Sequence, residues 1–205
     1  MHINILTENQ HQLLKFISIF RKYFYLVGGT AIALHIGHRR SIDYDLFSSK
    51  KLNKTLISRN VLRQKYNKHT IFNDTDQIHF IINKVKITFF YFPFPVPHNE
   101  TFNKIISLPS LLSLAAMKAF TLGRRAKWKD YVDLYFILKL YYSINDISGE
   151  ARKIFGELYS EKLFRQQLSF HDDIDFSEPV DFLHGFEVSE LDIKSYLIQK
   201  SIEII

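Results

Sequence analysis

Asp43 and Asp45 are the residues of this chain whose types and spacing most directly suggest chemistry. In Ile42-Asp43-Tyr44-Asp45-Leu46-Phe47 they stand two positions apart, so in a strand both carboxylates share one side while Tyr44 and Leu46 take the other. Two carboxylates held this way suit a hard divalent cation such as Mg2+, which fills its remaining positions from phosphate and water. Upstream, Leu26-Val27-Gly28-Gly29-Thr30 reads as an apolar strand running into a Gly-Gly turn and a short helix from Thr30 to Ile36. Such a turn lets backbone N–H groups approach an anionic phosphate closely at a helix N-terminus. A phosphate turn and a cation site thirteen residues apart point to phosphoryl or nucleotidyl transfer.

Other charged residues could join them. Arg39 and Arg40 precede the acidic strand and are candidates for nucleotide or RNA contact, with solvated surface cations as the alternative. Lys118 follows the small apolar run Leu114-Ala115-Ala116-Met117. Beyond Gly123, which reads as a helix stop, Asp130 and Asp133 have i, i+3 spacing and can face the same side of a helix. The plainer reading makes these two acids solvent-facing partners of Lys127 and Lys129. His35 and His38 have metal-pair spacing, but without Cys or a third ligand at a recognisable spacing they argue against zinc. His38 reads as a loop residue near phosphate.

The elements that must position these residues can be followed along the chain. Thr7-Glu8-Asn9-Gln10 is a capping box, and Leu13, Phe16, Ile17 and Phe20 recur at helical spacing, which predicts a helix over 8–22. Residues 52–66 predict an amphipathic surface helix with many basic side chains. From His69 to Phe92 the period becomes that of strands, with 77–82 and 85–92 flanking an Asn83-Lys84 hairpin turn. Pro93, Pro95 and Pro97 break the pattern and mark the expected boundary between a domain over 1–98 and a helical one over 99–205. Helices are predicted over 109–123, 127–142, 148–168 and 189–204. The fold class is then α+β, a small mixed sheet flanked by helices and followed by a helical bundle. Most of the 19 Phe and 11 Tyr residues are expected in the core.

Composition narrows the setting. The 205 residues include no Cys, which excludes a disulfide-stapled domain. The N-terminus lacks a basic region followed by a long apolar run, and no apolar stretch approaches a membrane span, so a cytoplasmic protein is expected. Lys and Arg outnumber Asp and Glu by 27 to 21, a balance that suits a polyanionic partner.

Gly28-Gly29-Thr30 joined to Asp43-Tyr44-Asp45, with Gly37-His38-Arg39 between, resembles the polymerase-beta-like nucleotidyltransferases and more narrowly the AbiEii-type family. The later Lys118 and Asp130-Tyr131-Val132-Asp133-Leu134 resemble the same family. The resemblance implies Mg2+ or Mn2+ held by Asp43 and Asp45, with the triphosphate of a nucleoside triphosphate on Gly28, Gly29 and Thr30. It implies that Lys118 contacts the triphosphate, and that Asp130 or Asp133 acts at the metal or the acceptor hydroxyl. It further implies a toxin-like enzyme, an RNA acceptor such as a tRNA 3′ end, and a separate antitoxin. Relatives usually carry a third carboxylate where this chain has Thr88, for which an Asp of the later helix could substitute. A weakened enzyme that only binds, and a small-molecule nucleotidyltransferase of the antibiotic type, remain as alternatives.

Overall fold

A computed structural model of the protein describes residues 1–122 and 124–203; the helix stop at Gly123 and the end of the last helix at Ile204 fall outside them. The chain divides into two compact units, Met1–Ser110 and Leu111–Ile205.

The first unit is built on a mixed sheet of β1 (Tyr25–Val27), β2 (Tyr44–Ser48), β3 (Lys68–Asn73), β4 (Gln77–Ile82), β5 (Val85–Tyr91), β6 (Glu100–Phe102) and β7 (Ile106–Leu108). Their spatial order is β3-β4-β5-β2-β1-β7-β6. At its centre β2 runs antiparallel to β1 and parallel to β5. Three helices accompany the sheet: α1 (Glu8–Ser18), α2 (Gly28–Ile36) and α3 (Lys54–Leu62). The predicted capping box starts α1: Thr7 Oγ1 accepts from Gln10 N at 3.3 Å, and Gln10 Oε1 accepts from Thr7 N at 3.0 Å. The helix ends at Ser18, short of Lys22, and turns take the chain on towards β1.

Strand alternation separates two faces of the sheet. Phe89 of β5 packs edge to face against Phe20 and Phe24, with ring centroids 4.7 and 5.2 Å apart, and the Tyr44 hydroxyl donates to the Gln10 carbonyl of α1 at 3.2 Å. That face is the core. Asp45 and Thr88, one position along from Tyr44 and Phe89, point to the opposite face.

The proline segment does not end this unit. Beyond it β6 and β7 turn back through Asn103 and Lys104, and β7 joins the free side of β1 in parallel. His35, at the end of α2, donates to the Pro109 carbonyl at 3.1 Å and lies 3.8 Å from Glu100, fastening this ribbon. Residues 99–110, assigned from sequence to the helical half, thus complete the sheet. Three-residue strands are too short to display a period of two.

The second unit contains α4 (Leu111–Leu122), α5 (Trp128–Leu140), α6 (Ile144–Phe155), α7 (Glu161–Ser169) and α8 (Glu190–Ile202). The predicted helix over 148–168 is two helices. It breaks at Gly156, whose φ of +56° leaves the helical region, and restarts where Ser160 caps α7. Phe120 of α4 stacks on Phe155 of α6 at 3.9 Å, and Tyr135 of α5 meets Tyr196 of α8 edge to face.

Candidate active site

The phosphate turn and the acidic strand meet at Gly28. This residue opens α2 with φ +73°, and a Cβ added to it would overlap Asp45 Oδ2 and lie 3.2 Å from Asp45 Cγ. Glycine is required twice, for the left-handed backbone and for the space that the carboxylate occupies. The β1–β2 register accounts for the contact, since Val27, the residue before Gly28, pairs with Asp45. No side chain caps α2 among the described residues. A helix N-terminus of this kind favours an anion.

Thr30 has a different task from the phosphate contact expected of it. Its hydroxyl is buried, donates to the Asp43 carbonyl, and lies 2.8 Å from Ser41 Oγ. A hydroxyl has one proton, so Ser41 is the donor in the second bond. Thr30 therefore ties the first turn of α2 to the backbone that presents Asp43.

Arg39 is 1% exposed, and its guanidinium packs on the Gly-Gly turn: a Cβ on Gly29 would come 2.5 Å from Arg39 Nη2. Its Nη1 donates to the Arg40 carbonyl at 3.0 Å. Arg40 itself donates to the Asn4 carbonyl at 3.4 Å. His38 is fully buried in the loop after α2.

The register places Thr88 beside Asp45 on the parallel neighbour β5, and His79 of β4 opposite Thr88. Phe72 of β3 pairs with His79 in turn, so Phe72, His79, Thr88 and Asp45 form one row across four strands. Burial is the main influence lowering the His79 pKa, helped by Lys86, while Asp45 and Asp74 oppose it. The sequence held the signal for His79. A two-residue turn at Asn83-Lys84 pairs every residue whose number sums with its partner's to the same total, which sets 79 against 88.

Among the described residues no group of three or more His, Cys, Asp or Glu is arranged to hold a metal. Asp45 at this turn, with Asp43 two residues before it, is the candidate donor set. That set fits Mg2+ or Mn2+, which bind through one or two carboxylates and complete their shells with substrate phosphates and water.

In the second unit, Lys118, Asp130 and Asp133 form a buried ionic cluster. Lys118 Nζ contacts Asp130 Oδ1 and lies 2.9 Å from Asp133 Oδ2, and Arg125 Nε lies 3.4 Å from Asp130 Oδ2. The two acids are 3% and 0% exposed, so they are not solvent-facing partners of Lys127 and Lys129. Those lysines pair instead with Glu178, at 2.5 and 3.1 Å.

The chain is similar to several known proteins. The family described as nucleotidyl transferase AbiEii toxin, type IV TA system, matches residues 13–193. The protein aq_aa25 of Aquifex aeolicus (strain VF5) is 26% identical over 155 residues, which cover 73% of this chain and 74% of that protein. MenT4, a nucleotidyltransferase toxin from Mycobacterium tuberculosis H37Rv, has a similar fold with a TM-score of 0.65 at 12% identity, covering 95% of this chain and 82% of its own. JHP933 from Helicobacter pylori superposes with a TM-score of 0.55 at 16% identity, over 96% of this chain and 91% of that one. Both likenesses show a shared fold, which in this chain is of the α+β class. With the family pattern matched over nearly its whole length, this chain belongs to the AbiEii nucleotidyltransferase toxin family.

Proposed function

We propose that the protein transfers a nucleoside monophosphate from a nucleoside triphosphate to a hydroxyl of RNA, such as a tRNA 3′ end. The acceptor oxygen bonds to the α-phosphorus in line, the bond from that phosphorus to the bridging oxygen breaks, and pyrophosphate leaves. The hydroxyl proton passes to water. The backbone N–H groups at Gly28 and Gly29 bind the β- and γ-phosphates, and Arg39 adds positive charge at that turn. Asp43 and Asp45 would hold Mg2+ or Mn2+, which when bound neutralises triphosphate charge and favours the in-line geometry. Thr30 and Ser41 keep Asp43 in place. Lys118, held by Asp130 and Asp133, is proposed as a cation suited to a phosphate group.

The observation that carries this reading is the Asp45 carboxylate packed against Gly28 at the start of α2. A carboxylate and a phosphate side by side at one helix N-terminus repel each other unless a cation lies between them. A toxin-like block of translation, restrained by a separate antitoxin, accords with the family. A cationic small molecule is a poor acceptor for a unit with 15 Lys and Arg against six Asp and Glu over residues 1–110.

Thr88 in the row with Asp45 favours one second reading, a protein that binds nucleotide without turning it over. Purified protein incubated with each labelled nucleoside triphosphate, Mg2+ or Mn2+, and total RNA separates the two. Transfer of label to RNA is expected, falling at least about a hundredfold in Asp43→Ala and Asp45→Ala. Transfer that survives both substitutions rejects the assigned residues. Nucleotide binding without pyrophosphate release establishes the second reading.

A further inference from the structure

The net positive charge of this protein comes from one part of it. Residues 1–110 hold 15 Lys and Arg against six Asp and Glu, whereas residues 111–205 hold 12 against 15. Within the first unit, residues 46–73 contain seven Lys and Arg and no acid, so the remainder of the chain is close to neutral. That segment is β2 beyond Asp45, α3 with the loops around it, and the edge strand β3.

Helix α3 buries Ile57 and Val61 and turns its cations outward. Lys54, Thr55, Ser58, Arg59, Leu62 and Arg63 line an open groove of ≈ 640 Å³. Lys54 Nζ donates to Asn73 Oδ1 at 2.9 Å and to the Asp74 carbonyl, which holds the start of α3 against the far end of β3. Arg59 of α3 and Arg63, which caps its C-terminus, are exposed at i, i+4 spacing and make no ion pair among the described residues. Next to this cationic face lies an aromatic ring that the expectation of a buried core does not cover. Phe72 of β3 is 43% exposed, its ring centroid 5.3 Å from that of His79. Phe72 is also the outer member of the row that leads through His79 and Thr88 to Asp45. Three inter-strand steps put β3 roughly 14 Å from β2, a span of a few nucleotides.

We infer that α3 and the β3 edge form the docking face for the RNA acceptor, with Arg59 and Arg63 on backbone phosphates and Phe72 stacked on a base near the reacting end. The inference rests on the reading that RNA is the acceptor. Closely spaced cations without acids match the regular negative charge of a nucleic acid backbone. An acidic protein would satisfy the cations equally well, but an exposed ring in the row leading to the carboxylates matches a stacked base.

Fluorescence anisotropy of the full chain with a labelled short single-stranded RNA, in the absence of nucleotide and metal, tests the docking face separately from catalysis. The double substitution Arg59→Ala, Arg63→Ala is expected to weaken binding about tenfold or more, and to lower the slope of log affinity against log salt by about 1.4. Phe72→Ala is expected to weaken it roughly fivefold with the slope unchanged. Parental affinity and slope in the double variant overturn the inference, whether or not RNA is labelled in the transfer assay. Binding of poly-glutamate that is equally sensitive to the arginines, with RNA binding indifferent to Phe72, also overturns it and assigns the face to a protein partner. Binding that follows the expected pattern while no RNA is ever labelled leaves the docking face standing and removes the catalytic reading.

Discussion

Gly28, Thr30 and Lys118 each show how much depends on single atoms. A methyl group at Gly28 would meet the Asp45 carboxylate and force a non-glycine residue into the left-handed region. Gly28→Ala should therefore cost about 1–3 kcal/mol in denaturant unfolding and abolish nucleotide transfer, since relief of the clash displaces Asp45. Thr30→Val keeps the shape but deletes the donor to the Asp43 carbonyl. We expect about 1–2 kcal/mol of destabilisation, together with a weaker apparent affinity for Mg2+ when transfer is titrated with the ion. The Lys118 cluster is more demanding. Asp133 is completely buried 2.9 Å from Lys118 Nζ, so Asp133→Leu strands part of a buried positive charge and should cost about 3–5 kcal/mol. A loss within experimental error would mean that water reaches the cluster. The candidacy of Asp43 and Asp45 could be read from their spacing, because an extended chain puts alternate side chains on one side. The task of Thr30 could not, because a hydroxyl's partner depends on a loop eleven residues away.

Elements show the same division. The Asn83-Lys84 turn has both residues left-handed, with φ 51° and 64°, and its strands match the ranges read from alternation to within a residue. The turn after β6 uses the same pair, Asn103-Lys104, at φ 46° and 58°. That repeated pair was the available sign of the strands beyond the prolines. In the second unit the approach to α5 is pinned from outside: Asp175 N donates to the Ala126 carbonyl at 2.7 Å, Trp128 N donates to the Asp175 carbonyl at 3.1 Å, and Glu178 receives Lys127 and Lys129. The hydrogen bond from Lys127, with Lys129 in support, lowers the Glu178 pKa from 4.5 to about 2. Because the folded value is depressed, this stabilisation is present above the unfolded pKa of 4.5 and is lost as pH falls towards 2. Glu178→Gln should thus reduce stability near neutral pH by less than about 1 kcal/mol, given the exposure of the pair, and match the parent near pH 2. Chemical denaturation across that range would show it; a constant difference between the two proteins would reject the ion pair as its cause.

Over the whole molecule, charge and chemistry are divided unequally. The first unit carries the positive excess, the Gly-Gly turn and the acidic strand, while the second carries the buried Lys118 cluster and a net negative charge. If RNA is recruited through the basic edge, added salt should raise the KM for RNA steeply and leave the rate at saturating RNA nearly unchanged. Initial rates of transfer at several salt concentrations would separate this from an effect on the chemical step, in which kcat falls instead. The order of residues was enough to reach the family and the α+β class, and to single out two carboxylates and a Gly-Gly turn as candidates. These rest on short spacings that the geometry of a strand, a turn or a helix converts directly into position. Contacts between distant segments were settled by folding: Thr88 and His79 in the row with Asp45, the Thr30 tie to Asp43, the burial of Lys118 with two acids, and the gathering of cations beside an exposed Phe72. No local period records such contacts, because they depend on which strands become neighbours and which helix faces become buried.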